Sequence, residues 1–170
     1  VAHEKNIGFL LQAISIARRS LPELLFLITG EGPARGDLEQ QAANLGLRDH
    51  VRFLGYLDRQ RELPAAYAAA DAFIFASRTE TQGLVLLEAM AQRCPVVALS
   101  IMGTADILQP GRGCRIAPDD PAGFAQTLLD LLIDPVARLH LGEEARHYAK
   151  EWSDLELAAR LADLYRSLLR

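Results

Sequence analysis

Apolar and polar residues follow one another along the chain in blocks that predict alternating strands and helices. Helical spacing of apolar side chains indicates helices between the strands, and short continuous apolar runs are typical of strands buried on both faces. The predicted strands cover residues 24–28, 51–54, 71–76 and 95–99. The predicted helices cover residues 6–19, 33–45 and 62–70 and a stretch that starts at Gly83. This alternation predicts an α/β fold with a Rossmann-like, doubly wound parallel sheet of about six strands flanked by helices.

The last third of the chain has only helical patterns. Helices are predicted at residues 121–133 and 135–151, each with a proline in its first turn after Asp120 or Asp134 as the N-cap. Ser153 is the predicted N-cap of a final amphipathic helix that extends through Leu169. Its apolar stripe consists of Leu157, Leu161, Leu164, Tyr165 and Leu168. No repeat, low-complexity segment or linker interrupts the chain, so residues 1–170 are interpreted as one domain.

Composition narrows the possible partners. The 170 residues carry 18 Lys and Arg against 22 Asp and Glu, and this net charge of −4 without a basic block argues against nucleic acid as a partner. Cys94 and Cys114 have no metal-ligand spacing and are predicted to be buried, reduced thiols. The sequence has no apolar run of membrane-spanning length and no recognisable signal peptide. It begins without Met at Val1, which we interpret as the start of a fragment of a longer enzyme.

Two glutamates flank the most informative strand-to-helix junction. Glu80 follows the predicted strand at residues 71–76. Seven residues separate it from Glu88, which lies about one turn into the next helix. Leu84, Leu87 and Met90 are expected to face the core. Ligands bind at the carboxyl edge of open α/β sheets, and the free amides of a helix start, here Gln82 to Val85, favour a phosphate. One carboxylate is then placed to hold sugar hydroxyls and the other a ribose.

The same junction resembles a family signature. Residues 80–88 resemble the E-x7-E motif of retaining, nucleotide-sugar-dependent glycosyltransferases of the GT-B fold, family 4 type (glycosyl transferases group 1). Four further segments resemble motifs of that family in the same order. They are His3-Glu4-Lys5-Asn6, Thr29-Gly-Glu-Gly-Pro33, Val51-Arg-Phe-Leu-Gly-Tyr56 and Cys94-Pro-Val-Val-Ala98.

The resemblance implies a role for each matching residue. Lys5 would hold the donor diphosphate together with an arginine expected upstream of Val1. Glu80 would contact the donor sugar and stabilise the positive charge at its anomeric carbon, so Glu80 and Lys5 are the predicted catalytic residues. Glu88 would accept the ribose hydroxyls, and Gly30 would keep the wall of the nucleotide pocket thin. The other predicted donor-binding residues are Gln82, Gly83, Leu84 and Val85.

The resemblance also implies the reaction. The chain would be the donor-binding C-terminal domain of an enzyme that transfers sugar from a UDP- or GDP-sugar to an acceptor hydroxyl, in cell-envelope polysaccharide or glycolipid synthesis. The sugar or lipid acceptor would bind an N-terminal domain absent from this chain, against which the final helix would pack. No metal or other cofactor is expected. The isolated chain should bind nucleotide weakly and be inactive, and the full-length protein is expected in the cytoplasm, with peripheral association at the inner face of the membrane.

Three positions depart from the family pattern. Gln82 replaces the usual aromatic residue, Arg93 the usual glycine after the helix, and Met102-Gly103 the usual pair of glycines. These differences leave the donor sugar open. Two alternatives also remain open: the nucleotide-binding half of a GT-B sugar-nucleotide epimerase, in which Glu80 would lose its role, and a non-catalytic α/β nucleotide-binding module.

Overall fold

The computed structural model describes residues 1–168, so Leu169, the predicted end of the last helix, lies outside them. After a short 3₁₀ turn at His3–Lys5, strands and helices alternate in the predicted manner. The strands are β1 (Phe26–Thr29), β2 (Val51–Gly55), β3 (Phe73–Phe75), β4 (Val96–Ala98) and β5 (Cys114–Ile116). The helices are α1 (Ile7–Ala17), α2 (Arg35–Asn44), α3 (Glu62–Ala69), α4 (Leu84–Ala91), α5 (Gly103–Ile107), α6 (Pro121–Leu132), α7 (Pro135–Lys150) and α8 (Asp154–Leu168).

All strand pairs are parallel, but the described strands form two sheets. β1 pairs with β2, and the second sheet has the order β3-β4-β5. The prediction of about six strands in one sheet is therefore too high for residues 1–168. The amides of Phe26 and Gly30 donate to the carbonyls of His50 and Gly55 on the β2 side. The alternate amides of β1 therefore point to its other edge, which has no strand partner among the described residues.

Helices cover both faces of the second sheet, which confirms the doubly wound α/β fold. Along β4, Val97 belongs to a core that includes α1, α2 and α6, while Val96 and Ala98 belong to a second core built mainly with α4 and α7. Successive residues of a strand point to opposite faces. The three residues are fully buried, as expected of a strand between two helix layers.

Two short elements escaped the sequence analysis. β5 has three residues, including Arg115, and α5 has five, so neither is long enough to show a clear apolar period. The predicted helix starts in the tail are confirmed by their caps. The carboxylate of Asp120 accepts a hydrogen bond from the Gly123 amide at 2.8 Å, and that of Asp134 accepts one from the Ala137 amide at 2.9 Å.

The last helix is as amphipathic as predicted, yet none of its described residues is buried. Its apolar stripe is exposed to solvent, from 42% at Leu157 to 71% at Leu168. Within the described part of the chain, no helix has the length and apolar character needed to cross a membrane.

Both cysteines are buried and free, as predicted. Burial raises the pKa of the Cys94 thiol to about 12 and that of the Cys114 thiol to about 11. Each side chain therefore stays a neutral thiol at physiological pH and behaves as a small apolar group of the core.

Phe124 tests the larger core. Its side chain is completely buried, and its ring meets that of Phe9 edge to face at 5.5 Å between centroids. Phe124→Ala should lower the free energy of unfolding by about 3–5 kcal/mol because it leaves a cavity between α1 and α6. Urea denaturation checks this. Val136→Ala, at a position 78% exposed, is the control and should shift stability by at most about 0.5 kcal/mol; equal effects of the two changes would contradict this core assignment.

Candidate functional site

The segment before α1 is attached to the carboxyl end of β3. The Ser77 hydroxyl donates to the Glu4 carbonyl at 3.1 Å, and the Asn6 side-chain amide donates to the Ala76 carbonyl at 3.1 Å. Asn6 adopts a left-handed conformation with φ 54°, which asparagine tolerates better than most residues. These contacts join residues 70 and 73 positions apart and place Lys5 above the carboxyl edge of the second sheet.

The Lys5 ammonium reaches the carboxylate of Glu80. Its Nζ donates to Glu80 Oε2 at 3.0 Å, while Glu80 Oε1 accepts the amides of Gln82 at 3.3 Å and Gly83 at 3.2 Å. One cation and two backbone N–H groups at the start of α4 therefore converge on one anionic group. The structure thus brings together Lys5, Glu80, Gln82 and Gly83, four of the predicted site residues.

These donors stabilise the charged form of the carboxylate. The hydrogen bond from Lys5, followed by the one from the Gly83 amide, lowers the pKa of Glu80 below its ordinary value against the opposing effect of burial. The side chain of Glu80 is only 16% exposed, whereas that of Lys5 is 43% exposed. The carboxylate therefore lies on the inner side of the pair and the ammonium on the side open to solvent.

The loop that carries Glu80 rests directly on the start of α5. The Gly103 amide donates to the Glu80 carbonyl at 3.0 Å, and a Cβ on Gly103 would lie 2.0 Å from the Thr81 carbonyl oxygen. Only glycine permits this approach. Met102, immediately before it, has φ 54° and ψ −132°, a backbone conformation that costs a residue with a side chain about 1–3 kcal/mol. The Met102 side chain is 58% exposed. The Met-Gly departure therefore lies against the predicted catalytic loop.

Glu88 lies on α4 and is paired with a residue that the sequence analysis missed. The Arg59 guanidinium donates to Glu88 Oε1 at 2.5 Å from the loop between β2 and α3. Burial, then the charge of Glu88, raises the pKa of the nearby Tyr67 to about 12. No sequence motif indicated Arg59, because its loop position gives no periodicity and charged loop residues are common.

The remaining predicted residues have mixed placements. Gly30 lies at the carboxyl end of β1 with φ 94°, and its amide bonds the carbonyl of Gly55, which has φ 72°. Leu84 and Val85 open α4 as predicted. However, the prediction that Leu84 faces the core is wrong, since it is 55% exposed. The buried positions of α4 are Leu86, Ala89 and Met90, so Met90 faces the core as predicted and the buried face is displaced by about a third of a turn from the predicted one.

Two clefts in the described chain lie away from this constellation. One, of about 300 Å³, lies between α2 and β2 next to Arg35 and Phe53. The other, of about 610 Å³, lies at the amino ends of the second sheet beside Asp71 and Arg93. Neither is lined by Lys5 or Glu80. Residues 1–168 contain no group of three or more His, Cys, Asp or Glu side chains suited to hold a metal ion.

Comparison with known proteins agrees with the motifs. The family of glycosyl transferases group 1 matches residues 1–134. The chain is 31% identical to an alpha-D-kanosaminyltransferase of Streptomyces kanamyceticus and 34% identical to a GDP-mannose-dependent alpha-(1-6)-phosphatidylinositol monomannoside mannosyltransferase of Mycolicibacterium smegmatis. These alignments cover 99% and 94% of this chain and 44% of each relative, so the chain spans less than half of their length.

A solved structure shares the fold. The sucrose-phosphate synthase of Thermosynechococcus elongatus superposes with a TM-score of 0.84 at 28% identity, over 99% of this chain and 43% of that one. The α/β architecture of this chain therefore matches one part of that longer protein.

Gly103→Ala tests the contact beneath the Glu80 loop. The added methyl would overlap the Thr81 carbonyl, so we expect a loss of about 1–3 kcal/mol in the free energy of unfolding. Gly36→Ala is the matched control, because nothing lies within 4 Å of its Cβ and the change occurs within α2. That control should be neutral or stabilise the fold by up to about 1 kcal/mol. Thermal unfolding of both variants measures the difference, and a Gly103→Ala protein as stable as the parent would contradict the contact.

Lys5→Met tests the origin of the lowered pKa of Glu80. Lys5 stabilises the charged form of Glu80 more than the protonated form, so the pKa of Glu80 should rise in this variant. By the same linkage, the pair stabilises the fold above the ordinary carboxyl pKa of about 4.3, and this stabilisation is lost as the pH falls through the lowered value. A ¹³C NMR titration of the Glu80 carboxyl reads the change. Arg78→Met removes a nearby cation that pairs with Asp119 instead, and should leave the Glu80 titration nearly unchanged.

Proposed function

This chain belongs to the glycosyl transferases group 1 family, and from that premise we propose that it forms the donor-binding half of a retaining, family 4 type glycosyltransferase. The observation that carries the proposal is the convergence of Lys5 Nζ and the amides of Gln82 and Gly83 on the one anionic group, Glu80, at the carboxyl edge of the sheet. A cation and helix-start amides are the donors that bind a phosphate.

The proposed donor is a UDP- or GDP-sugar. One relative is named as GDP-mannose-dependent, which supports a nucleotide sugar as the substrate class. Lys5 and the amides of residues 82–85 would bind the diphosphate. Glu88, on the α4 helix, would accept hydrogen bonds from the ribose hydroxyls through the carboxylate to which Arg59 donates in this structure. Gly30 and Gly55, whose left-handed backbones close β1 and β2, would leave room for the nucleotide above these strands.

Transfer itself would depend mainly on charge. The bond from the anomeric carbon to the diphosphate oxygen breaks with its electron pair on the diphosphate, whose growing charge Lys5 and the α4 amides stabilise. The acceptor oxygen bonds the same carbon on the same face, and its proton passes to the departing phosphate. Glu80 would stabilise the positive charge on the sugar. Because Lys5 and the amides supply the positive charge, the proposed reaction needs no metal ion.

The acceptor would be held by a further domain, since the chain spans only 44% of the two relatives. A cell-envelope polysaccharide or glycolipid acceptor agrees with the name of the mannosyltransferase relative, whose acceptor is a phosphatidylinositol monomannoside. The whole protein would act in the cytoplasm, where it would meet a lipid acceptor at the inner face of the membrane. This chain alone would bind donor weakly and transfer nothing.

Calorimetric titration with UDP, GDP and ADP, with and without EDTA, tests this proposal. One nucleotide should bind, and Glu88→Gln should weaken it about tenfold or more, because a charge-assisted hydrogen bond to ribose contributes about 1.5–3 kcal/mol. Glu143→Gln is the control: Glu143 also pairs with an arginine, Arg93, but on α7 beside the amino ends of the strands. EDTA should have no effect. Equal weakening by both variants, or an affinity indifferent to Glu88, would contradict the ribose assignment.

A further inference from the structure

The Glu80 carboxylate uses the donors that a diphosphate would need. Lys5 Nζ lies 3.0 Å from one carboxylate oxygen, and the amides of Gln82 and Gly83 lie 3.3 and 3.2 Å from the other. A planar carboxylate and a tetrahedral phosphate both present anionic oxygens, and both accept hydrogen bonds from such donors. The Glu80 carboxylate and a diphosphate therefore cannot accept hydrogen bonds from these three donors at the same time.

The backbone of Glu80 is fixed, whereas its side chain can rotate away from these donors. Its carbonyl is fixed by the Gly103 amide at 3.0 Å, and Gly103 packs against the backbone of Thr81. The backbone next to Lys5 is likewise fixed through Asn6, whose side chain donates to the Ala76 carbonyl, and the Lys5 ammonium also lies over the Phe75 ring, 5.9 Å from its centroid. The backbone segments that carry the donors are therefore held in place by contacts that do not involve the carboxylate, and a rotation of the Glu80 side chain would leave the donors available.

We propose that Glu80 occupies the diphosphate position in the ligand-free chain, that the ligand must displace it, and that this competition selects against a bare nucleoside diphosphate. The inference rests on the proposed function, which places the diphosphate at Lys5 and α4. Displaced Glu80 loses one cation and two amides and lies beside another anion, so it needs new hydrogen-bond donors. The hydroxyls of a donor sugar supply them, whereas the nucleoside diphosphate product does not.

Charge decides the expected direction of the test. Lys5 and Glu80 together are neutral, whereas Glu80→Gln leaves the positive charge of Lys5 in place of a neutral pair. Isothermal titration calorimetry with inorganic pyrophosphate, UDP and GDP measures the effect. Glu80→Gln should bind pyrophosphate, and the nucleotide that the native chain binds, about fivefold or more tightly than the native chain does. Lys5→Met should lower the same affinities. Asp119→Asn, which removes a carboxylate paired with Arg78 close to the loop, is the control for general charge and should change them by less than about twofold.

A second readout follows the side chain itself. In the ¹³C NMR titration of the native chain, saturating pyrophosphate should raise the pKa of the Glu80 carboxyl, because its three donors are taken and a new anion lies nearby. A Glu80 pKa that stays low with pyrophosphate bound, or affinities unchanged or weakened in Glu80→Gln, overturns the inference.

The results separate this inference from the proposed function. Nucleotide binding that depends on Glu88 but does not strengthen in Glu80→Gln retains the function and overturns the competition. If pyrophosphate binds more tightly to Glu80→Gln but nucleotide affinity does not depend on Glu88, the competition between Glu80 and the diphosphate is retained and the assignment of Glu88 to the nucleotide is overturned. Absence of binding by pyrophosphate and by all nucleotides to the native chain and to Glu80→Gln overturns both.

Discussion

The ion pair between Lys5 and Glu80 is the interaction on which the site depends. It joins a 3₁₀ turn at the start of the chain to a loop 75 residues later, and two backbone-directed hydrogen bonds from Ser77 and Asn6 hold the same two segments in register. Without these contacts, Lys5 would be one more solvated lysine. With them, its charge is aligned with the amides at the start of α4, so that one anion can meet all of these donors.

Charge is balanced in pairs across this part of the molecule. Lys5 neutralises Glu80, and Arg59 neutralises Glu88. Each pair is partly open to water, where such interactions stabilise a fold by little. Their main structural effect is therefore to hold each carboxylate in a defined orientation. Two buried apolar cores, one on each side of β4, provide the rigid support on which these side chains are arranged.

The sequence predicted the parts of the structure that depend on local pattern. Continuous apolar runs located β1 to β4, and Asp120 and Asp134 marked the starts of α6 and α7 because an N-cap acts within three residues. Features that depend on distant contacts were missed or misjudged. The partner of Glu88, the burial of α4 on Leu86 rather than Leu84, and the division into two sheets are set by what packs against each element. The roles of the predicted site residues remain predictions.

The most direct test of the account is a two-dimensional ¹H–¹⁵N NMR titration of this chain with UDP and with GDP. The account predicts that one of them causes saturable shifts that are largest at the amides of residues 82–85 and at Lys5, with smaller changes near Glu88. Shifts that cluster instead around Arg93 and Gly142, at the amino ends of the strands, would contradict it, as would a spectrum that neither nucleotide changes.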